Sequence, residues 1–373
     1  MSKTAYPNLF KPVKVNGLRL KNRITMAPLY LGYAAPGGKV SPLMLAHYKL
    51  MAQSGAALIV VEGSGITVNG SGSARTLRCD HNRYLKGLHA LAKAIKEEKA
   101  LAALQINHTG RFAQVAEPVA PSAVPAFGAT PHVLTRKEMK TIQKQYAKAA
   151  LRVQRAGFDL VELHGGTGYL LSQFVSPRTN TRTDAYGGPI ENRIRFPLEV
   201  LKGVKDLVGD FPVGYRFLAD EWLPDGLHVE ESRVLAKTLE ENGVAYISVM
   251  GGTYESFFLP EVIKESRKPG YMVSLAEAIK REVKVPVITA GRISTPGLAE
   301  SILREKKADL IGLARMLWVD PEWPRKARKG LDRSIIKCSP KCDACLQLVM
   351  QGKPAFCPKW KKGKRAEYRA VFH

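Results

Sequence analysis

The feature that most constrains how this chain folds is a regular alternation of short apolar runs with longer stretches of helical periodicity. Parallel β-strands connected by helical crossovers produce this pattern. Eight apolar runs are present, and they predict strands at residues 23–28, 58–63, 102–107, 160–165, 213–217, 246–251, 286–291 and 309–315. Helices are predicted at about 42–55, 82–98, 135–156, 190–208, 229–242, 274–282, 296–305 and 321–329.

Eight such units favour a closed (β/α)8 barrel of the α/β class, because an open sheet of eight parallel strands would leave two unpaired edges. Local signals agree with the helix boundaries. Ser41-Pro42 and Thr295-Pro296 each place a hydroxyl N-cap before a proline at the first helical position. Gly157 and Gly243 stand where helices should end.

The periodic pattern ends near residue 330, and this divides the chain. Residues 1–330 are predicted to form the barrel, and residues 331–373 a cysteine-rich C-terminal extension. Within the barrel, residues 112–130 contain several prolines among small residues and predict a long irregular loop after the third strand. A loop on the catalytic face of a barrel can form part of a lid.

Composition agrees with a large globular domain, since 45% of the 373 residues are hydrophobic and 24% are charged. The formal net charge of +24 favours anionic partners such as phosphorylated cofactors and acyl-CoA substrates. The basic residues are spread along the chain apart from a tail at 359–365, so nucleic-acid binding is disfavoured. Neither a leader sequence nor an apolar span is recognisable, which predicts a cytoplasmic protein without membrane insertion.

Barrel enzymes carry their active groups at the carboxyl ends of the strands, and two kinds of residue meet there in this sequence. Small residues such as Ala27 and Gly63 leave room for a flat ring. Neutral Gln105 and cationic Arg216 suit the carbonyl and ring-nitrogen edge of a flavin.

The last two strands end in Gly291-Arg292 and Ala314-Arg315. Glycine backbone and guanidinium groups at this place match the usual phosphate site of barrels. Taken singly, an arginine, glutamine or histidine at a strand end is more often an ion pair, a satisfied polar group or a core residue. Their convergence at one end of the barrel favours FMN as the cofactor.

These residues, together with several longer motifs, resemble the old yellow enzyme superfamily of FMN-dependent barrels. The resemblance is stronger to the branch that includes 2,4-dienoyl-CoA reductase and trimethylamine dehydrogenase. The motifs cover nearly the whole chain and lie at residues 9–12, 21–24, 105–111, 174–188, 192–196, 308–315 and 320–323. The most specific stretch runs from Arg182 to Gly188, and its polar residues are expected to brace a loop rather than contact the flavin.

The resemblance implies which residues hold the cofactor. The expected neighbours of the isoalloxazine ring are Ala27, Pro28, Leu29, Gly63, Gln105, His164 and Arg216, and those of the phosphate are Gly291, Arg292, Ala314 and Arg315.

The resemblance also implies three catalytic residues. Tyr169 is the expected proton donor, His164 is expected to polarise the substrate carbonyl, and Tyr254 stands where dienoyl reductases have a histidine. Two positions depart from the pattern. Thr167 replaces the second histidine or asparagine of a pair that grips the substrate carbonyl, and Tyr30 replaces a cysteine or threonine that tunes the flavin potential.

Four of the five cysteines crowd near the C-terminus, at Cys338, Cys342, Cys345 and Cys357, whereas Cys79 stands alone. Three thiols in one tight turn, with a fourth after a short helix, suit a [4Fe-4S] cluster. Structural zinc and thiols without a metal are alternative interpretations. Relatives in the resembling branch have a similar spacing, which favours the cluster.

The leading functional hypothesis is an FMN-dependent ene-reductase that reduces the activated double bond of an enoyl thioester, enoate or enone. Hydride would come from FMN N5 and the proton from Tyr169, with NAD(P)H or an electron-transfer protein as the reductant. One alternative is an amine dehydrogenase or demethylase that passes electrons to the cluster. Another is a basic binding protein that keeps the barrel without turnover. Pairing of subunits is compatible with the sequence but not required by it.

Overall fold

The computed structural model describes residues 4–372, and eight parallel strands close a barrel in sequence order. Every predicted strand is present, and the predicted (β/α)8 class is confirmed. Residues 1–3 and 373 of the predicted domain ranges lie outside the described part. The strands are β1 (Ile24–Met26), β2 (Leu58–Gly65), β3 (Leu101–Asn107), β4 (Leu160–Gly165), β5 (Val213–Asp220), β6 (Ile247–Gly251), β7 (Val287–Thr289) and β8 (Leu310–Leu313).

Each strand is followed by a helix on the outside of the barrel. These helices are α1 (Pro42–Gln53), α2 (Leu85–Lys96), α3 (Arg136–Arg155), α4 (Arg195–Val208), α5 (Val229–Glu241), α6 (Val273–Lys280), α7 (Pro296–Arg304) and α8 (Trp323–Arg328). The predicted caps form: the Ser41 hydroxyl accepts the Met44 amide, and the Thr295 hydroxyl accepts the Leu298 amide. Each of these bonds satisfies an amide that the helix itself leaves unpaired.

The core has two layers because side chains alternate along each strand. In β2, Leu58 and Val60 join the apolar cluster inside the barrel. Ile59 and Val61 point the other way and join the larger cluster between strands and helices. The barrel interior is therefore filled by side chains, as in other barrels of this size.

A β-hairpin that the sequence analysis did not predict precedes the barrel. Residues Val13–Val15 pair antiparallel with Leu18–Leu20. The turn residues Asn16 and Gly17 both have positive φ, 44° and 81°, as a two-residue hairpin turn requires. Buried Val15 and Leu20 join the inner cluster, so the hairpin covers the amino-terminal end of the barrel.

Several short elements lie in the loops that follow the strands. Short helices occupy Leu170–Val175, Ile190–Arg193, Pro260–Ser266 and Arg315–Val319. The loop predicted at 112–130 is irregular, apart from the two-residue pairing of Val119–Ala120 with His132–Val133. The Arg182 side chain braces this loop by donating to the Pro121 and Leu134 carbonyls at 3.0 and 2.8 Å, in agreement with the bracing role expected for its motif.

The cysteine-containing segment packs against the barrel near the end of β1. The Ala355 amide donates to the Leu31 carbonyl at 2.8 Å, and the Tyr33 hydroxyl donates to the Ala355 carbonyl at 2.9 Å. A short helix at Ala344–Met350 contains the third cysteine, Cys345, and the fourth, Cys357, follows it, as the spacing predicts. Along the described residues, no helix combines the length and apolar character needed to cross a bilayer.

Candidate active site

A cavity of about 260 Å³ opens at the carboxyl ends of the strands. Seven predicted cofactor residues line it: Ala27, Pro28, Arg216, Gly291, Arg292, Ala314 and Arg315. Arg267 and Lys337 also line it, which brings the cationic side chains to five, and the described lining residues include no carboxylate. A cavity with this charge is built to receive an anion.

Glycine shapes the β7 side of this cavity. Gly291 has a φ of +97°, and a Cβ there would lie 3.1 Å from the Met272 backbone nitrogen. At Gly312 in β8, a Cβ would lie 3.2 Å from the Thr289 carbonyl oxygen. The positive φ at Gly291 therefore favours glycine, while a side chain at Gly312 would require the β7 backbone to move by a few tenths of an ångström.

The Arg292 guanidinium at the cavity has no carboxylate partner among the described lining residues. Burial lowers the pKa of Arg292, and the neighbouring Arg315 lowers it further. The Arg292 side chain donates to the carbonyls of Ser266 and Pro340, which are neutral acceptors. Repulsion of this kind is relieved when a dianion such as a phosphate binds between the two arginines.

A buried polar network lies beside the cavity on β3, β4 and β5. Gln105 Nε2 donates to Glu162 Oε1 at 2.7 Å, so the Gln105 carbonyl oxygen remains available as an acceptor. A Cβ on Gly63 would approach that oxygen to 3.2 Å, closer than ordinary van der Waals contact, so a larger residue at position 63 would crowd it. Arg216 Nη1 donates to Ser248 Oγ at 2.8 Å.

Glu162 is the counterion of this network. Its second oxygen accepts from Tyr246 Oη at 2.7 Å, and the residue is fully buried. Burial raises the pKa of the Glu162 carboxyl, while Arg216 acts in the opposite direction. Glu162 was not among the residues predicted from the sequence, although a carboxylate inside an otherwise apolar strand is a recognisable signal.

The His164 imidazole is held neutral. Burial lowers its pKa to about 3, with a further contribution from Arg216. Its Nδ1 accepts the Gly166 amide at 3.2 Å, so the ring proton resides on Nε2. His164 can therefore donate one hydrogen bond to a substrate oxygen without carrying charge.

Tyr169 and Tyr254 form a phenol pair next to this histidine. Their hydroxyl oxygens are 3.0 Å apart, and the Tyr169 ring lies 4.8 Å from the His164 ring. Burial raises the pKa of both tyrosines, so both are protonated at neutral pH. One hydroxyl can thus donate a hydrogen bond to a substrate while it accepts a hydrogen bond from the other hydroxyl.

The two positions that depart from the family pattern have local roles. Thr167 has a φ of +61°, and its hydroxyl donates to Met250 Sδ at 3.5 Å. Tyr30 is hydrogen-bonded to Ser73, and burial raises the pKa of its hydroxyl to about 12. Leu29, another predicted cofactor residue, is partly buried and packs against the main core.

Other residues of the site were not selected from the sequence. Arg267 and Tyr271 follow the helix Pro260–Ser266 and line the cavity, and Lys337 reaches it from the C-terminal segment. Tyr271 lies within the electrostatic field of three arginines at the cavity. These residues sit in loops without a spacing pattern, so only the tertiary structure brings them to the strand ends.

The four C-terminal cysteines are free thiols that lie near one another. Burial raises the pKa of Cys357, and the thiols of Cys338, Cys345 and Cys342 raise it further. Cys338 also lines the cavity. Within the described residues, however, no group of three or more His, Cys, Asp or Glu side chains is arranged closely enough to hold a metal ion. The donor chemistry suits a cluster, but a closed ligand set is not formed.

Comparison with known proteins places these features in a family. A model of the NADH:flavin oxidoreductase / NADH oxidase family matches residues 8–334. The NADH oxidase of Thermoanaerobacter brockii is 42% identical over 345 residues, which are 90% of this chain and 53% of that protein. The NADPH dehydrogenase of a Geobacillus species is 37% identical over 331 residues, which are 88% of this chain and 95% of that protein.

A solved structure supports the same assignment. The complex of 2-naphthoyl-CoA reductase with 2-naphthoyl-CoA aligns with a TM-score of 0.91 at 29% identity, over 95% of this chain and 57% of that one. The chain thus spans about half the length of the NADH oxidase that it matches. Since the family model covers most of the sequence, the chain belongs to the NADH:flavin oxidoreductase / NADH oxidase family, the flavin-dependent barrels that include the old yellow enzymes.

Proposed function

We propose that this protein is an FMN-dependent ene-reductase acting on an activated carbon–carbon double bond. One observation carries the proposal: a cationic, glycine-shaped cavity adjoins a neutral histidine and a protonated tyrosine pair at one barrel end. The cavity supplies a place for the phosphate. The histidine and the tyrosines supply the two groups that an enone needs, a hydrogen-bond donor for its carbonyl and a proton for its α-carbon.

The residues present fit FMN. Arg292, Arg315 and the backbone at Gly291 would hold the phosphate, while Gln105 and Arg216 would meet the polar edge of the ring. The charge at Arg292 supports this, because its guanidinium donates to two neutral carbonyls and its pKa is lowered by burial and by the nearby Arg315. When bound, FMN supplies the hydride for the β-carbon of the substrate.

His164 and Tyr169 carry out the steps that belong to the protein. The neutral His164 donates from Nε2 to the substrate carbonyl and stabilises the negative charge that develops there. Tyr169 delivers its hydroxyl proton to the α-carbon. Tyr254, 3.0 Å away, then donates a hydrogen bond to the phenolate oxygen of Tyr169 until solvent restores the proton.

The names of relatives support the proposed reductant, and the charge of the cavity supports the proposed substrate class. NADH or NADPH is the proposed reductant in the first instance, in keeping with the names of two relatives. An electron-transfer protein is the alternative donor. Acyl-CoA thioesters are the preferred substrate class, because Arg267 and Lys337 add positive charge at the cavity beyond the arginines assigned to FMN.

We further propose that Cys338, Cys342, Cys345 and Cys357 bind a [4Fe-4S] cluster after a small local rearrangement. Four free thiols in one segment provide the ligands that a cubane cluster needs. The proposal implies a reducing compartment such as the cytoplasm. Iron and acid-labile sulfide at about four each per chain support it. Bound zinc at one per chain, or no metal after anaerobic purification, contradicts it.

The ene-reductase proposal is tested with photoreduced enzyme under anaerobic conditions. A broad panel of enones, enoates and enoyl-CoA thioesters is added, and reoxidation of the flavin is followed by absorbance. At least one member is expected to reoxidise it within seconds. The proposal fails if every compound leaves the flavin reduced while oxygen still reoxidises it.

A second candidate is oxidation of amines. The rings of Tyr169 and Tyr254, with centroids 6.0 Å apart, could also receive a cationic ammonium group. In that case tertiary amines would bleach the oxidised flavin under anaerobic conditions, and enones would not reoxidise the reduced form.

A further inference from the structure

A large apolar side chain stands exposed above the phenol pair. Phe127 has 70% of its surface exposed, and it lies in the long loop after β3. Single exposed hydrophobic residues are common and need no explanation. Phe127 differs because it has a positive φ, which is unusual for a bulky residue, and because its ring contacts Tyr254 of the phenol pair.

The backbone at Phe127 is held in an unusual conformation. Phe127 and Gly128 have positive φ values, 49° and 80°, at the tip of a turn closed by Ala126 and Ala129. Bulky residues are disfavoured in the left-handed region of positive φ, which Asn and Gly adopt with little strain. Strained positions of this kind concentrate at ligand-binding sites.

The Phe127 ring is the outer end of a continuous series of aromatic rings. Its centroid lies 5.0 Å from that of Phe112 and 5.8 Å from that of Tyr254. The Phe112 and Tyr254 centroids are 5.1 Å apart, and Tyr254 contacts Tyr169 through their hydroxyls. Phe112 is only 3% exposed and Tyr254 and Tyr169 are partly buried, so Phe127 is the most exposed ring of this series.

We infer that Phe127 is a specificity-determining residue that selects substrates with a flat conjugated or aromatic group attached to the reacting double bond. The inference rests on the proposed function, which puts the reacting atoms beside Tyr169. A planar group extending outward from Tyr169 would lie along Tyr254 and be capped by Phe127, whose ring packs on the buried Phe112. Offset and edge-to-face ring contacts favour such a group over a short alkyl chain of similar polarity.

The test compares binding of two thioesters that differ only in this group. Cinnamoyl-CoA and crotonyl-CoA are titrated by calorimetry into oxidised, FMN-loaded enzyme without reductant, so that no turnover occurs. In F127A the dissociation constant for cinnamoyl-CoA is expected to rise roughly fivefold or more, and that for crotonyl-CoA less than about twofold. F127W is expected to retain the preference for cinnamoyl-CoA.

The control is V133A, which removes another exposed apolar side chain from the following segment without touching the ring series. It should leave both affinities unchanged. Thermal stability and FMN content, measured for each variant, show whether the fold is intact. F127N supplies a second variant suited to positive φ, and it should lose the preference while folding normally.

Several outcomes overturn the inference. They are equal losses for both thioesters in F127A, no preference for cinnamoyl-CoA in the natural protein, or an effect of F127A on the oligomeric state with unchanged affinities. The last would make Phe127 a subunit contact. Failure of the ene-reductase proposal is distinguishable, since photoreduced enzyme would then ignore both thioesters even if the binding preference depended on Phe127.

Discussion

Tyr169 is the residue on which the proposed proton transfer depends. Y169F removes the hydroxyl and keeps the ring, so FMN content should be unchanged while the turnover number falls about a hundredfold or more. Rapid-mixing measurements should place the loss in the reoxidation by substrate rather than in the reduction by NAD(P)H. Y186F, which removes a phenol bonded to Glu199 away from the cavity, is the matched control. Equal activity of Y169F and the natural protein would contradict the assignment.

Glu62 gives a prediction about stability rather than turnover. Its Oε2 accepts the Leu31 amide at 3.2 Å, Oε1 has no partner among the described atoms, and burial raises the pKa of the carboxyl to about 8. In the unfolded chain the pKa is near 4.5. Between these two pH values Glu62 is protonated in the folded protein and ionised in the unfolded chain. The free energy of unfolding therefore falls as the pH rises from about 4.5 to about 8.

The substitution E62Q replaces the carboxyl with a neutral amide that cannot ionise. It should remove the decrease in the free energy of unfolding that Glu62 causes as the pH rises. The variant is expected to match the natural protein near pH 5 and to exceed it increasingly toward pH 8, by roughly 1.4 kcal/mol for each pH unit as an upper limit. Urea unfolding at pH 5, 6.5 and 8 measures the difference. E97Q, on an exposed side chain, should show no such trend. A constant difference between E62Q and the natural protein at all three pH values would show that Glu62 is ionised in the fold.

The residue types at the strand ends could be predicted from the sequence, but their partners could not. Arg216 lies within β5, and Arg292 and Arg315 follow β7 and β8 within a few residues, so barrel geometry brings them to one end. Arg267 and Tyr271 reach the same cavity from a loop without periodicity. The same limit applies to Phe127, whose ring contacts depend on how a long irregular loop folds back over the barrel.

At the scale of elements, backbone conformation constrains the β7–α7 connection of the proposed cofactor site, because Gly291 has a positive φ there. G291A would put a Cβ 3.1 Å from Met272 at a φ of +97° and should weaken FMN binding about tenfold or more. Quenching of FMN fluorescence during titration of apoprotein measures this. G297A, in α7 with open space around it, should bind FMN normally. If G291A also bound FMN normally, the backbone at Gly291 would not form the phosphate cradle.

The longer strands and helices were predictable because the spacing of their apolar residues indicates which face is buried. The alternation in β2, with inner and outer side chains in different clusters, shows this directly. Short elements contain too few residues to show a periodic spacing of apolar side chains. The helix Leu170–Val175 is buried on every side, so its sequence shows no alternation of apolar and exposed positions. The hairpin at Val13–Leu20 carries Asn16-Gly17, a signal typical of a two-residue hairpin turn.

For the whole molecule, a net charge of +24 is expressed locally as a cavity with five cations and no carboxylate among its described lining residues. The cysteine segment is part of that arrangement, since Lys337 and Cys338 both line the cavity. The same segment is joined to the barrel through Ala355 and Trp360, with the Trp360 indole donating to the Trp318 carbonyl at 3.3 Å. A cofactor bound in the cavity would therefore touch both the barrel and this segment.

The central claim is that this cavity and the adjoining polar network hold FMN. The most direct measurement is the flavin content of protein purified without added cofactor, released by denaturation and identified by chromatography and absorbance. We predict about one FMN per chain, and uptake of about one equivalent when apoprotein is incubated with FMN. A colourless protein that releases no flavin and binds none on incubation would contradict the account.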